Sequence, residues 1–217
     1  MLATDIIFLD GEFTKLKGEL LELAIVDFNG ETLYYQRFRP KIATRWKKTE
    51  HIHHITPDMV KDCPFVEQEL EKIQAIIDKA RYVISLNVDS DKKVLANEGI
   101  NLPHTFDLRI LEILLFGCEK LRSLKDLAKV CGYDVSLANW HCSQDDAFVT
   151  SCLFLDLYRA YSYFGGSPLD PLKAIRFMKE KYYKEEKLRK QIINSKSKKK
   201  NGTKRTVPRG RTNNPHE

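Results

Sequence analysis

Ile6-Ile7-Phe8-Leu9-Asp10-Gly11-Glu12-Phe13-Thr14 decides how the rest of the chain is read. Four apolar residues climb to an acid, skip one position and place a second acid. Ile6 to Leu9 reads as a strand buried on both faces and central in a sheet. Alternate side chains of an extended chain share a face, so Asp10 and Glu12 point the same way. Gly11 between them leaves the opposite face without a side chain and lets another backbone approach. Two carboxylates side by side repel, and a strand gains nothing from them. A divalent cation bound between them reverses that balance. On its own the triplet fits a solvent-exposed strand end equally well, so its meaning depends on matching acids further along.

Residues 21–28 (LELAIVDF) form the next apolar run, and Asn29-Gly30 after it is a hairpin signal. Residues 33–39 make a third strand closed by Pro40, which gives an antiparallel meander. Residues 40–64 show weak periodicity around His51-Ile52-His53-His54-Ile55, and Thr56-Pro57 marks a helix start. Apolar spacing predicts a helix over 66–80, then a short strand over 82–85. From there Leu86-Asn87-Val88-Asp89-Ser90-Asp91 leads into a helix carrying Val94 and Leu95. Thr105-Phe106-Asp107 is a brief strand followed by a helix through Leu115. Ser123 caps another helix, with Asp126 in the capping-box position, and Gly132 ends it. A long helix over 144–161 precedes the break Gly165-Gly166-Ser167-Pro168, and a charged helix follows over 171–193. Strands first, then helices alternating with short strands, is an α/β pattern with a mixed central sheet flanked by helices. The expected division is one domain over 1–165 and a basic helical tail over 166–217.

At 217 residues the chain suits one sizeable domain with an appendage, and 42% hydrophobic residues suffice for a real core. No apolar run is long enough to span a bilayer, and no basic segment precedes the first apolar run as in a signal peptide. The five cysteines are odd in number and irregularly spaced, without Cys-x-x-Cys, so a reducing cytoplasm is the expected location. The net charge of +6 is unevenly divided: from Lys181 onward 13 basic residues face three acidic ones, a net of +10, which leaves the first 180 residues at −4. A basic tail on a mildly acidic body is an argument about partners, and phosphate backbones are the obvious ones.

Asp91, at the start of a helix just beyond a buried strand, and Asp146, at the start of the long helix, repeat the opening theme. Either acid alone is explained by the helix dipole, which favours negative charge in a first turn. His141, five residues before Asp146, is not explained that way, because a cation is disfavoured at that end. The histidines at 51, 53 and 54 have no acid or thiol spaced to complete a zinc site, so His53 reads as a residue that orders its loop.

As a set, Asp10-x-Glu12, Asn87-x-x-x-Asp91 and His141-x-x-x-x-Asp146 resemble the three motifs of the DEDDh exonuclease superfamily, of the ribonuclease T and proofreading-subunit type, over residues 4–160. Residues 141–147 (HCSQDDA) resemble its third motif, with Asp146 rather than Asp145 at the metal position. Ile52-His53-His54-Ile55-Thr56 resembles the connecting region of the proofreading branch, where the second histidine is normally glycine. Leu86 stands where the family often has histidine. The resemblance implies a ribonuclease H-like fold and metal-dependent 3′→5′ hydrolysis of phosphodiester bonds, with DNA favoured, RNA admitted and DNA repair as a role. It also implies two Mg²⁺ (or Mn²⁺) ions held by Asp10, Glu12, Asp91 and Asp146, with His141 as general base. Gly11, Phe13, Thr14, His53 and Asn87 would line the substrate pocket, and Phe13 is equally explained as core. The expected partner is single-stranded or 3′-end nucleic acid, gripped also by the basic tail, and a polymerase partner is compatible with the resemblance. A catalytically weak nucleic-acid-binding or polymerase-associated module is the competing reading.

Overall fold

The computed structural model describes residues 1–15, 18–117 and 121–202. A 3-10 turn, Ala3–Asp5, leads into strand β1 (Ile6–Phe13), followed by β2 (Leu20–Asp27) and β3 (Thr32–Arg37). Helices α1 (Lys47–His53), α2 (Pro57–Val60) and α3 (Val66–Ile77) precede β4 (Tyr82–Ser85) and α4 (Val88–Asn97). Strand β5 (Thr105–Asp107) runs straight into α5 (Leu108–Phe116). Helices α6 (Leu124–Val130), α7 (Ser143–Gly165) and α8 (Pro171–Gly202) complete the described chain. The chain divides into a compact unit, Met1–Lys179, and a second unit, Glu180–Glu217.

The five strands form one mixed sheet in the order β3-β2-β1-β4-β5. The pairs β1–β2 and β2–β3 are antiparallel, whereas β4 lies parallel to β1 and β5 parallel to β4. This is the ribonuclease H-like arrangement, and β1 holds its middle position. Pairing with β2 carries β1 beyond Leu9 to Phe13, so both acids of the opening stretch sit within the strand.

Register assigns the faces. Asp10 lies opposite Ala24 and Glu12 opposite Glu22, so these four share one face with Phe8. Helix α7 covers that face: the Phe154 ring packs 5.6 Å from Phe8, 6.1 Å from Phe106 and 5.3 Å from Tyr158. The other face carries Ile7, Leu9, Leu23, Ile25 and Val83, which pack with Ile73 and Ile77 of α3 and Leu95 of α4. A sheet buried on both sides needs apolar residues at nearly every position, which is why β2 reads as an unbroken hydrophobic run.

The weakly periodic region over 40–64 contains helix α1, which the sequence pattern did not predict. It is short and packs through few residues: Trp46 donates from its indole nitrogen to the Ile55 carbonyl at 2.6 Å, and Thr49 donates to the Thr14 carbonyl at 3.0 Å. Helix α6 begins as expected, with the Ser123 hydroxyl accepting from Asp126 N–H at 3.1 Å. Helix α7 runs to Gly165, one turn beyond the apolar pattern, and closes on Gly166 at φ 69°. Among the described residues no helix is long and apolar enough to cross a membrane.

Candidate active site

The site forms where β1 meets the first turn of α7 and the ends of β4 and β5. Glu12, His141 and Asp146 each offer one ligand atom, and the three atoms lie within 4.8 Å of one another. Asp10 sits two residues before Glu12 on the same face of β1. Asp91, in the first turn of α4, is anchored at the end of β4 by a short hydrogen bond from the Ser85 hydroxyl. The sheet therefore gathers acids from three distant parts of the chain.

The loop before α7 is shaped by one unusual residue. His141 adopts a left-handed conformation, φ 65°, in which few non-glycine residues settle. Its backbone N–H turns inward and donates to Oδ2 of Asp146 at 3.1 Å. The other carboxylate oxygen of Asp146, Oδ1, is buried without a hydrogen-bond partner. His54 and Asn87, at φ 58° and 66°, share the left-handed region. His54 thus takes a backbone shape that glycine adopts most readily. Asn87 N–H donates to Oδ1 of Asp107 at 3.1 Å, which ties the start of α4 to the end of β5.

The pocket-lining candidates fall as follows. Gly11 has no free space on its open face, where the Phe13 ring and Leu20 side chain occupy the volume a Cβ would enter. Phe13 packs partly against the core cluster of the α3 face. Thr14 is buried, and its hydroxyl accepts from Glu19 N–H at 2.9 Å. His53 is buried, and its Nδ1 accepts from Ile55 N–H at 3.1 Å, while its Nε2 has no hydrogen-bond partner.

Electrostatics single out the carboxylates. Burial, then repulsion from Asp146, Glu22 and Asp91, pushes the pKa of Glu12 up to about 8. Burial, then Asp146 and Asp91, holds Asp10 well above the usual carboxylate range. Burial is also the main reason that Asp91 and Asp146 each rise to about 7. Desolvation, then the nearby His54 and Lys125, lowers His141 below the ordinary histidine value, so the ring is neutral at pH 7. Crowded carboxylates that resist ionisation, together with an orphaned buried oxygen on Asp146, fit a site that takes up divalent cations.

Two participants are missing from the sequence reading. Glu22, on β2 opposite Glu12, is buried at 1% exposure yet carries a charge. Its signal was an acid interrupting an apolar strand. Ser143, the first residue of α7, donates to it from both N–H and hydroxyl. No feature of the sequence marked Ser143.

Comparison with solved structures agrees with this architecture. Exonuclease X in complex with 5′ overhanging duplex DNA is 20% identical, with a TM-score of 0.61 over 80% of this chain and 99% of that one. A 3′-exonuclease that recognises the histone mRNA stem-loop is 16% identical, with a TM-score of 0.58 over 71% and 81% of the two chains. The catalytic unit of Neurospora crassa Pan2 is 17% identical, with a TM-score of 0.58 over 75% of this chain and 28% of that one. No match was found among curated protein sequences. The family model described as exonuclease (RNase_T) matches residues 7–154. With the acids of its motifs gathered on a ribonuclease H-like sheet, the chain belongs to this exonuclease family of the DEDDh superfamily.

Proposed function

We propose that the chain is a 3′→5′ exonuclease that removes nucleotides by metal-assisted hydrolysis, with Asp10, Glu12, Asp91 and Asp146 holding two Mg²⁺ or Mn²⁺ ions. The observation that carries this reading is the meeting of Glu12, His141 and Asp146 within 4.8 Å, beside Asp10 on one face of β1. When bound, the ions supply charge at the attacking and leaving oxygens of an in-line displacement. Oxygen-rich ligands favour these ions over zinc.

The chain's own residues do the rest. Asp10 and Glu12 project from a central strand that cannot shift without breaking pairs on both sides. His141 is exposed, neutral at pH 7 and beside Glu12, so it can take the proton of the attacking water. Asp91, held by Ser85, closes the far side of the cluster. Thr14 and Phe13, following Glu12, border the space for a terminal nucleotide. Beyond Thr14 lies a cleft of about 580 Å³ in which Lys15, Lys41 and Arg45 are balanced by Glu19, Glu67 and Glu98, and Lys41 pairs with Glu67.

The test is release of mononucleotides from matched DNA and RNA oligomers, each labelled at the 5′ end in one set and the 3′ end in another. A ladder shortening from the 3′ end with Mg²⁺, absent with Asp10→Ala, is expected. Equal activity of the two proteins removes the assignment. A nucleic-acid-binding module without chemistry would bind both oligomers and shorten neither.

A further inference from the structure

Helix α7 starts with only a weak cap of its own. Cys142 stands in the capping position, where its sulfur is a poor acceptor for the Gln144 and Asp145 N–H groups. The stronger cap comes from Glu22, 121 residues away on β2: its Oε1 accepts from Ser143 N–H at 2.9 Å and from the Ser143 hydroxyl at 3.0 Å. Its Oε2 accepts from Arg37 Nε at 2.6 Å and from the Tyr35 hydroxyl at 2.9 Å, both on β3. Although burial works to raise its pKa, bonds from Arg37, Ser143 and Tyr35 bring it below the usual glutamate value. Both oxygens are thus committed, unlike the orphaned oxygen of Asp146, and Glu22 has none left to offer an ion.

Ser143 lies two residues after His141 and three before Asp146. The aromatic packing that fixes α7 to the sheet is at Phe154, about 16 Å further along at 1.5 Å per residue. At the helix start the other side-chain tie to the sheet is an exposed bond from Gln144 to the Thr32 hydroxyl at 3.1 Å. Glu22 also lies directly opposite Glu12 in the strand register. Glu22 is therefore a buried link between the strand register of Glu12 and the His141–Asp146 turn.

We infer that Glu22 is a positioning residue: by capping α7 from β2 it holds Asp146 and His141 at metal-binding distance from Glu12. The inference rests on the reading of Asp146 and His141 as parts of the catalytic site. Like the partners that orient the ligands of other metal sites, it acts without touching the ions, here through Ser143 and the first turn of α7.

Full-length Glu22→Ala, Glu22→Gln and Ser143→Pro are compared with the unaltered protein and with Asp10→Ala. Ser143→Pro suits the purpose because proline is accepted at the first helical position and Cys142 already has the extended φ −105°, ψ 116° that must precede it. It removes both donors to Glu22 and leaves the helix start. Mn²⁺ binding by calorimetry, steady-state kinetics and thermal unfolding are measured on each. Glu22→Ala and Ser143→Pro are expected to weaken Mn²⁺ binding by about 10- to 100-fold and to lower kcat correspondingly. KM for an oligonucleotide is expected to stay within about threefold. Glu22→Gln, which keeps an oxygen for Ser143, is expected to retain most of the Mn²⁺ affinity. A fall in Tm with unchanged Mn²⁺ affinity in both Glu22→Ala and Ser143→Pro, while Asp10→Ala loses the metal, overturns the positioning role alone. If Asp10→Ala also binds Mn²⁺ normally, the metal-site reading fails and the inference goes with it.

Discussion

The backbone N–H of His141 donates to the Asp146 carboxylate at 3.1 Å across a left-handed turn. One oxygen of Asp146 therefore shapes the loop that presents the imidazole, and the other is buried and unpartnered. On the proposed function the first oxygen is structural and the second is left for chemistry.

Substitutions separate the two roles. Asp146→Asn can still accept the His141 N–H but brings no charge, whereas Asp146→Ala leaves that turn unheld. Both variants are expected to lose activity by more than about 100-fold, the usual scale for a group acting on charge in the transition state. Asp146→Ala should in addition unfold at lower temperature than Asp146→Asn, because a non-glycine residue held left-handed costs about 1–2 kcal/mol. Thermal unfolding with EDTA present checks this.

His141→Ala is expected to lower kcat by about 10²- to 10⁴-fold, the range for loss of a general base. The side chain is exposed, so the unfolding temperature should stay close to that of the unaltered protein. Kinetics at saturating Mg²⁺ distinguish loss of the base from loss of an ion, since added metal would restore the second and not the first.

The carboxylates make metal-free stability depend on pH. Glu12, Asp91 and Asp146 have folded-state pKa values of about 8, 7 and 7, above their unfolded values near 4. Between those limits the folded state binds more protons than the unfolded one, so stability falls as pH rises from about 4 to 8. Metal-stripped protein should therefore melt at lower temperature at pH 8 than at pH 5.5. Added Mg²⁺ should raise the melting temperature more at pH 8, where protons no longer compete for the oxygens. A Mg²⁺ effect equal at both pH values would contradict this.

Deleting residues 184–217 is expected to weaken binding of an oligonucleotide and to flatten the dependence of affinity on salt, because fewer counterions are released. Turnover of a dinucleotide, which offers too few phosphates for a basic tail to grip, should be unchanged. The basic tail extends past the described chain into residues 203–217, and its Lys198-Lys199-Lys200 run lies just before them. Filter binding at several salt concentrations measures the slope.

How much could be read in advance differs from residue to residue. Asp10 and Glu12 were legible because alternation along a strand is local geometry, and the apolar run before them marked the strand. Helix α1 was not, because it is short and held by Trp46 and Thr49 rather than by a long apolar stripe. The apolar patterns over 33–39 and 66–80 run two or three residues past the ends of β3 and α3, where single backbone bonds such as Phe38 to Leu21 and Asp78 to Gln74 continue without regular structure.

The order of the motifs, the alternation of Asp10 with Glu12 and the imbalance between body and tail were written in the sequence itself. Each depends on residue type and short-range spacing. The capping of α7 by Glu22, the left-handed turn at His141 and the anchoring of Asp91 by Ser85 were decided only when the sheet closed. Their partners come from separate segments, and a hydrogen bond of about 3 Å has no signature in a chain until folding brings its two ends together.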